Sequence, residues 1–167
     1  MIILGIDPGT ATTGYGVIEK LQNQKRLACL EYGVIKTAPT SPHPERLKQI
    51  NKELNIILNR FTPQILVIEN VYFFKNMKTA LPVSQAKGVI LFTAAKKNIP
   101  IHEFTPLQVK FSLSGNGKME KKQVQKMVKS LFRLKDIPKP DDAADALAIA
   151  ACYFNYKKPS KTSVKTA

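Results

Sequence analysis

A wholly apolar run opens the chain, Met1 to Leu4 with Ile6, ends on Asp7 and passes straight into Pro8-Gly9. Its length suits a strand buried on both faces, and Pro-Gly behind it forces a turn. An acid at the tip of such a strand is held at the mouth of whatever site the sheet builds. Asp also opens ordinary turns, so position alone leaves both roles open. The same pattern recurs at Ile65 to Ile68, a second short apolar run closed by Glu69.

Between these runs, Gly14 to Glu19 and Leu27 to Ile35 carry strand-forming residues around a polar break at Gln22 to Lys25. Strands so closely linked to the first predict an antiparallel meander. After the Thr37 to Pro44 loop, Leu47, Ile50, Leu54, Ile57, Leu58 and Phe61 recur at helical spacing, and Pro63 stops that helix. A long helix is expected over Pro82 to Lys97, with Pro82 in its first turn. Its small residues Ala86, Gly88 and Ala94 suit close packing against a partner. Ile101 to Phe104 reads as another strand, Ser114 to Gly117 as a flexible loop, and Glu120 to Leu134 as a basic helix. A last helix spans Asp142 to Tyr156. The order β-β-β-α-β-α-β-α-α predicts an α/β fold with a mixed sheet flanked by helices. Residues 1–156 make one domain. Lys157 to Ala167 holds four lysines and no acid, and reads as a disordered basic tail open to anionic partners.

The last helix opens Asp141-Asp142-Ala-Ala-Asp145 and continues through an alanine-rich stretch. Asp142 and Asp145, three apart, project from one face of its first turn. Helix capping and the dipole favour Asp there for purely structural reasons. Capping does not explain the coincidence with Asp7 and Glu69, each closing a buried strand. In a mixed sheet of this order, two strand ends and one helix face can converge. Four carboxylates at one point raise each other's pKa unless a cation sits among them. Hard oxygen donors without His or Cys select Mg²⁺ or Mn²⁺. Two such ions about 3.5–4 Å apart clamp the attacking and leaving oxygens of a phosphodiester.

Charge supplies the substrate class. Lys and Arg number 26 against 12 Asp and Glu, a net charge of +14, which favours a polyanion and nucleic acid before membrane. Cys29 and Cys152 sit in apolar stretches without zinc spacing, as buried thiols of a reducing compartment do. His43 and His102 are the only histidines, too few for a His-based metal site or triad. The first apolar run is too short for a signal peptide and no window approaches a membrane span, so the expected setting is cytoplasmic. A basic protein with an all-carboxylate metal site is most simply a nuclease.

The pieces GIDPGTATTGYGVI, VIENVYFFKN, QAKGVI, GKMEKKQVQKMV and DDAADALAIA, in this order, resemble those of the RuvC family of bacterial Holliday junction resolvases. The resemblance runs from Ile2 to Ala151. It implies an RNase H-like fold with a five-stranded sheet and a homodimer that nicks two opposed strands of four-way junction DNA. The implied cofactor is Mg²⁺, two ions per site with Mn²⁺ as substitute, and the implied partner is the RuvA-RuvB branch-migration complex. The family's catalytic, metal-holding acids fall on Asp7, Glu69, Asp142 and Asp145. Asp141 stands outside that set, as an N-cap or outer-shell acid. The family's basic residues near the cut fall on Lys110 and Lys121, and its base-stacking aromatic falls on Tyr72, beside Phe73.

From Lys118 to Lys135 there are seven cations, among them Lys121, and one acid, Glu120. Lys122, Lys126, Lys129 and Arg133 step by four, three and four, so they are expected on one face as a phosphate track. Val124, Met127, Val128 and Leu131 are expected to face the core. A solvated surface helix would more often mix signs. Three other readings compete. One is a non-catalytic four-way-junction DNA-binding module, and another is an RNase H-like nuclease with a different nucleic-acid substrate. The turn from Asp7 to Thr10 is also similar to the phosphate loop of actin-like ATPases, but those need two such domains and a longer chain.

Overall fold

The computed structural model describes residues 1–21, 26–70, 77–115 and 117–156; Tyr72, Phe73 and the basic tail lie outside the described residues. Strands β1 (Ile2–Asp7), β2 (Thr12–Lys20) and β3 (Leu27–Lys36) come first, followed by helix α1 (His43–Phe61). Strand β4 (Ile65–Glu69), helix α2 (Met77–Ala95) and strand β5 (Ile101–Phe104) continue the chain. Helices α3 (Pro106–Ser114), α4 (Lys121–Phe132) and α5 (Asp141–Tyr156) complete it. The five strands form one sheet in the order β3-β2-β1-β4-β5. The first three make the expected antiparallel meander, while β4 and β5 add in parallel beside β1. The fold is RNase H-like, with a mixed five-stranded sheet flanked by helices.

Strand alternation sorts the core into two layers. Ile3, Ile18, Ile65 and Val67 pack with α3, α4 and α5, whereas Leu4, Ile6, Val17, Leu66 and Ile68 pack with α1 and α2. Helix α5 lies close on its face because both surfaces are small. A Cβ added at Gly5 would strike the Ala146 carbonyl oxygen, and one at Gly14 the Asp142 carbonyl oxygen. The alanines opposite, Ala143, Ala144, Ala146 and Ala150, are fully buried.

Three expectations are corrected. Helix α2 starts at Met77, so Pro82 lies inside it rather than at its start. Proline there leaves the carbonyl one turn back without its helical donor and crowds it with its ring, a local cost borne within the first two turns of α2. Helix α3 was not expected; Thr105 and Gln108 cap it reciprocally, and Pro106 fits its first turn. In α4 the core stripe is Val124, Val128 and Phe132, while Leu131 is 40% exposed and Met127 half-buried. The i, i+4 row from Val124 reaches Phe132, not Leu131.

Candidate active site

Residue parity places the first two acids. Asp7 follows Ile3 and Gly5 on the α5 side of β1, and Glu69 follows Ile65 and Val67 on the same side of β4. Strands β1 and β4 are parallel neighbours with Ile6 beside Ile68, so the next residues, Asp7 and Glu69, end side by side. Helix α5 begins over this sheet end, because Gly14, the β2 partner of Asp7, touches the Asp142 backbone. Its first two turns therefore carry Asp142 and Asp145 toward that end, and the charges of Glu69, Asp142 and Asp145 all reach Asp7.

Their electrostatics bear the mark of that crowding. Burial, then the charges of Glu69, Asp145 and Asp142, push Asp7 up to about 8, with Lys121 opposing. Burial and Asp145 push Glu69 up to about 7, against Lys110 and Lys121. Burial also raises Asp145, against the attraction and hydrogen bond of Lys121. Lys121, first residue of α4, sets its ammonium 3.2 Å from Asp145 Oδ2 and 3.5 Å from Asp141 Oδ2. Burial lowers the Lys121 pKa, but the two carboxylates outweigh it and the net shift is upward. Lys110, on α3, joins Lys121, Glu69 and Asp145 around a cavity of about 180 Å³ floored by Val109 and Val124.

The turn behind Asp7 is braced from both sides. Thr13 Oγ1 donates to the Gly9 carbonyl at 2.6 Å, and Thr37 Oγ1 to the Thr10 carbonyl at 2.6 Å. Arg46 Nε in turn donates to Thr37 Oγ1 at 2.8 Å. Sequence reasoning missed these braces, although a Thr four residues after a turn glycine is a recognisable side-chain-to-backbone signal. It also missed the two ion pairs of Lys121, which depend on how α4 meets α5. Asp141 is the first residue of α5, and its charge turns toward Lys121.

The expected basic face is partly altered. Lys122 and Lys126 are exposed and Lys129 is half-buried on α4, with Lys118 exposed just before the helix. Arg133 does not continue the face: it is the left-handed cap of α4, φ 52°, its N–H bonded back to the Lys129 and Ser130 carbonyls. Tyr72 lies outside the described residues. No described helix is long and apolar enough to cross a membrane.

Among the described residues, no three His, Cys, Asp or Glu side chains close on one point as a metal cage. The donor set nonetheless fits a hard divalent cation by its chemistry. It is all carboxylate oxygen, and its members carry mutual repulsion that a cation relieves.

Residues 3–153 match the family profile described as Crossover junction endodeoxyribonuclease RuvC. The protein of that name from Desulforamulus reducens is 50% identical over 156 residues, 93% of this chain and 94% of that protein. Its namesake from Petrotoga mobilis is 45% identical over 98% of this chain and 99% of its own length. The solved structure of Thermus thermophilus RuvC in complex with Holliday junction substrate superposes with a TM-score of 0.87. It is 35% identical, over 93% of this chain and 94% of that one. Strand topology, the gathered acids and these matches agree: the chain belongs to the crossover junction endodeoxyribonuclease RuvC family.

Proposed function

We propose that this protein is a structure-selective endodeoxyribonuclease that resolves Holliday junctions by paired, symmetric, metal-dependent phosphodiester hydrolysis. The observation that carries the reading is the meeting of Asp7 and Glu69 with Asp142 and Asp145 at one sheet end. These four acids would hold two Mg²⁺ ions, with Mn²⁺ as substitute. Bound there, the metal supplies an activated water and charge stabilisation at the leaving oxygen. Asp7 and Glu69, on strand ends fixed by the sheet, set the position of the scissile phosphate. As a metal ligand Asp145 would have to release Lys121, which Asp141 would keep nearby. Lys110 and Lys121 then lie beside the phosphate as cations.

Lys118, Lys122, Lys126 and Lys129 contact backbone phosphates outside the cut, Arg133 does so from the end of α4 rather than from its face, and Tyr72 stacks on an unpaired base of the junction. Residues 1–156 form the catalytic domain, and the lysines of residues 157–167 add sequence-independent attraction to DNA. A two-fold dimer supplies the two cuts. Its interface is the α2 stripe Leu81, Gln85, Gly88, Phe92 and Ala95, exposed at spacings of four, three, four and three. Leu81 and Phe92 are each 65% exposed, a large apolar display for a single helix. Of the small residues expected to mediate that contact, Ala86 and Ala94 are fully buried within the protomer and only Gly88 is exposed. The protein acts in the cytoplasm, where bacterial DNA is, and hands over from the RuvA-RuvB complex.

The test is a labelled synthetic four-way junction incubated with and without Mg²⁺, beside linear duplex of the same sequence. Symmetric Mg²⁺-dependent nicking of the junction alone is the expected result. Binding without cleavage would leave a junction-binding module, and equal cutting of both substrates a nuclease of another specificity.

A further inference from the structure

Lys87 lies on α2 immediately before Gly88 of the exposed stripe, yet its own side chain is only 14% exposed. Withdrawing a lysine from water costs both hydration and rotamer freedom, so such a side chain persists only with good partners. It has two. The ammonium donates to Asn70 Oδ1 at 3.1 Å and to the Glu103 carboxylate. Asn70 directly follows Glu69 at the end of β4, and its N–H donates to the Phe104 carbonyl of β5 at 2.8 Å. Glu103 pairs with Ile68 across β4 and β5, so both contacts of Lys87 fall on the strand end that carries Glu69.

An ion pair with Glu103 alone would satisfy the charge. The second arm, to Asn70, adds no charge compensation; it ties α2 to the residue that follows the end of β4. Lys87 reaches Glu69 through the residue next to it: it holds Asn70, whose N–H is bonded to β5. We propose that Lys87 is a positioning residue that ties α2, the helix turned toward the second protomer, to the strand end presenting Glu69. The inference rests on the reading of Glu69 as catalytic and of α2 as the dimer interface. It follows that the placement of α2 and the placement of the carboxylate are one variable.

Wild type, Lys87→Met, Asn70→Ala, the double variant and Lys87→Arg are compared in three measurements. These are single-turnover junction cleavage with Mg²⁺, junction affinity without divalent ions, and sedimentation. Lys87→Met keeps the aliphatic stem, and Asn70→Ala leaves the Lys87–Glu103 pair intact. Each is expected to slow cleavage by about 10-fold or more, as small misplacements of a reacting group do. Affinity and dimerisation should be unchanged, the double variant should be no slower than the slower single, and Lys87→Arg should recover most of the rate. A wild type that does not cut overturns the nuclease reading, and this proposal with it. If wild type cuts, the positioning role alone is overturned by any of three results: Asn70→Ala cutting at the wild-type rate, losses that multiply in the double variant, or affinity falling in step with the rate.

Discussion

Asp145 stands between an ammonium and four other carboxylates, and each relation predicts a different response to losing its charge. Without metal, the acids oppose a negative DNA backbone, so Asp145→Asn should bind the junction as tightly as wild type or more tightly. With metal, a neutral amide is a poor replacement for an anionic ligand, and cleavage should fall by more than about 100-fold, beyond the cost of losing an outer-shell partner. Paired gel-shift and cleavage assays read both. A role confined to helix capping predicts surviving activity instead, because Asn caps as well as Asp. Asp7, pushed up to about 8, and Glu69, pushed up to about 7, make a second prediction. For an acid whose pKa is higher folded than unfolded, the native state binds more protons, so stability falls as pH rises between the two values. The metal-free protein should lose melting temperature from about pH 4 to about pH 8, and Asp7→Asn should flatten that slope. Thermal scans without divalent ions across that range decide it.

At the level of elements, the close seating of α5 on β1 and β2 is the contact on which the site depends. Gly14→Ala would drive a methyl group into the Asp142 carbonyl oxygen, so α5 must lift from the sheet at the end that carries Asp142. Overpacking of this kind costs about 1–3 kcal/mol. Urea unfolding should register that loss, and cleavage should fall further than stability accounts for, since Asp142 and Asp145 ride on the displaced turn. The meander, the apolar strands with their acidic ends and the acid-opened helix were legible because each has a strong local pattern. Helix α3 was not, since its nine residues mix Phe, Val and Ser without a clear apolar stripe, although Thr105 and Gln108 carry a capping signal. The early start of α2 was hidden by Pro82, which ordinarily marks a helix beginning. The ion pairs of Lys121 were invisible for a different reason: they belong to the meeting of two helices, and neither helix sequence encodes that alone.

For the whole molecule, the proposed function gives one layer of the sandwich the chemistry and the other the surface offered to a second copy. Phe92→Glu places a charge in the α2 stripe without touching the acids, so the protein should sediment as a monomer at concentrations where wild type is a dimer. Paired cuts should give way to single nicks, because each monomer carries one site. Sedimentation velocity and denaturing gels of a doubly labelled junction measure both. The sorting of strand residues into two layers also bears on how such a chain can change through time. Asp7 shares its side of β1 with Ile3 and Gly5, while Leu4 and Ile6 face the other way. Deleting or inserting one residue within β1 or β4 would turn the terminal acid under α1 and α2 and push an aliphatic residue into its place. Point substitutions along these strands can accumulate one at a time, whereas a change in their residue count inverts the acid at a stroke. Lineages of this protein should therefore carry their insertions and deletions in the connections, with the interval from Ile2 to Asp7 and from Ile65 to Glu69 held constant in length.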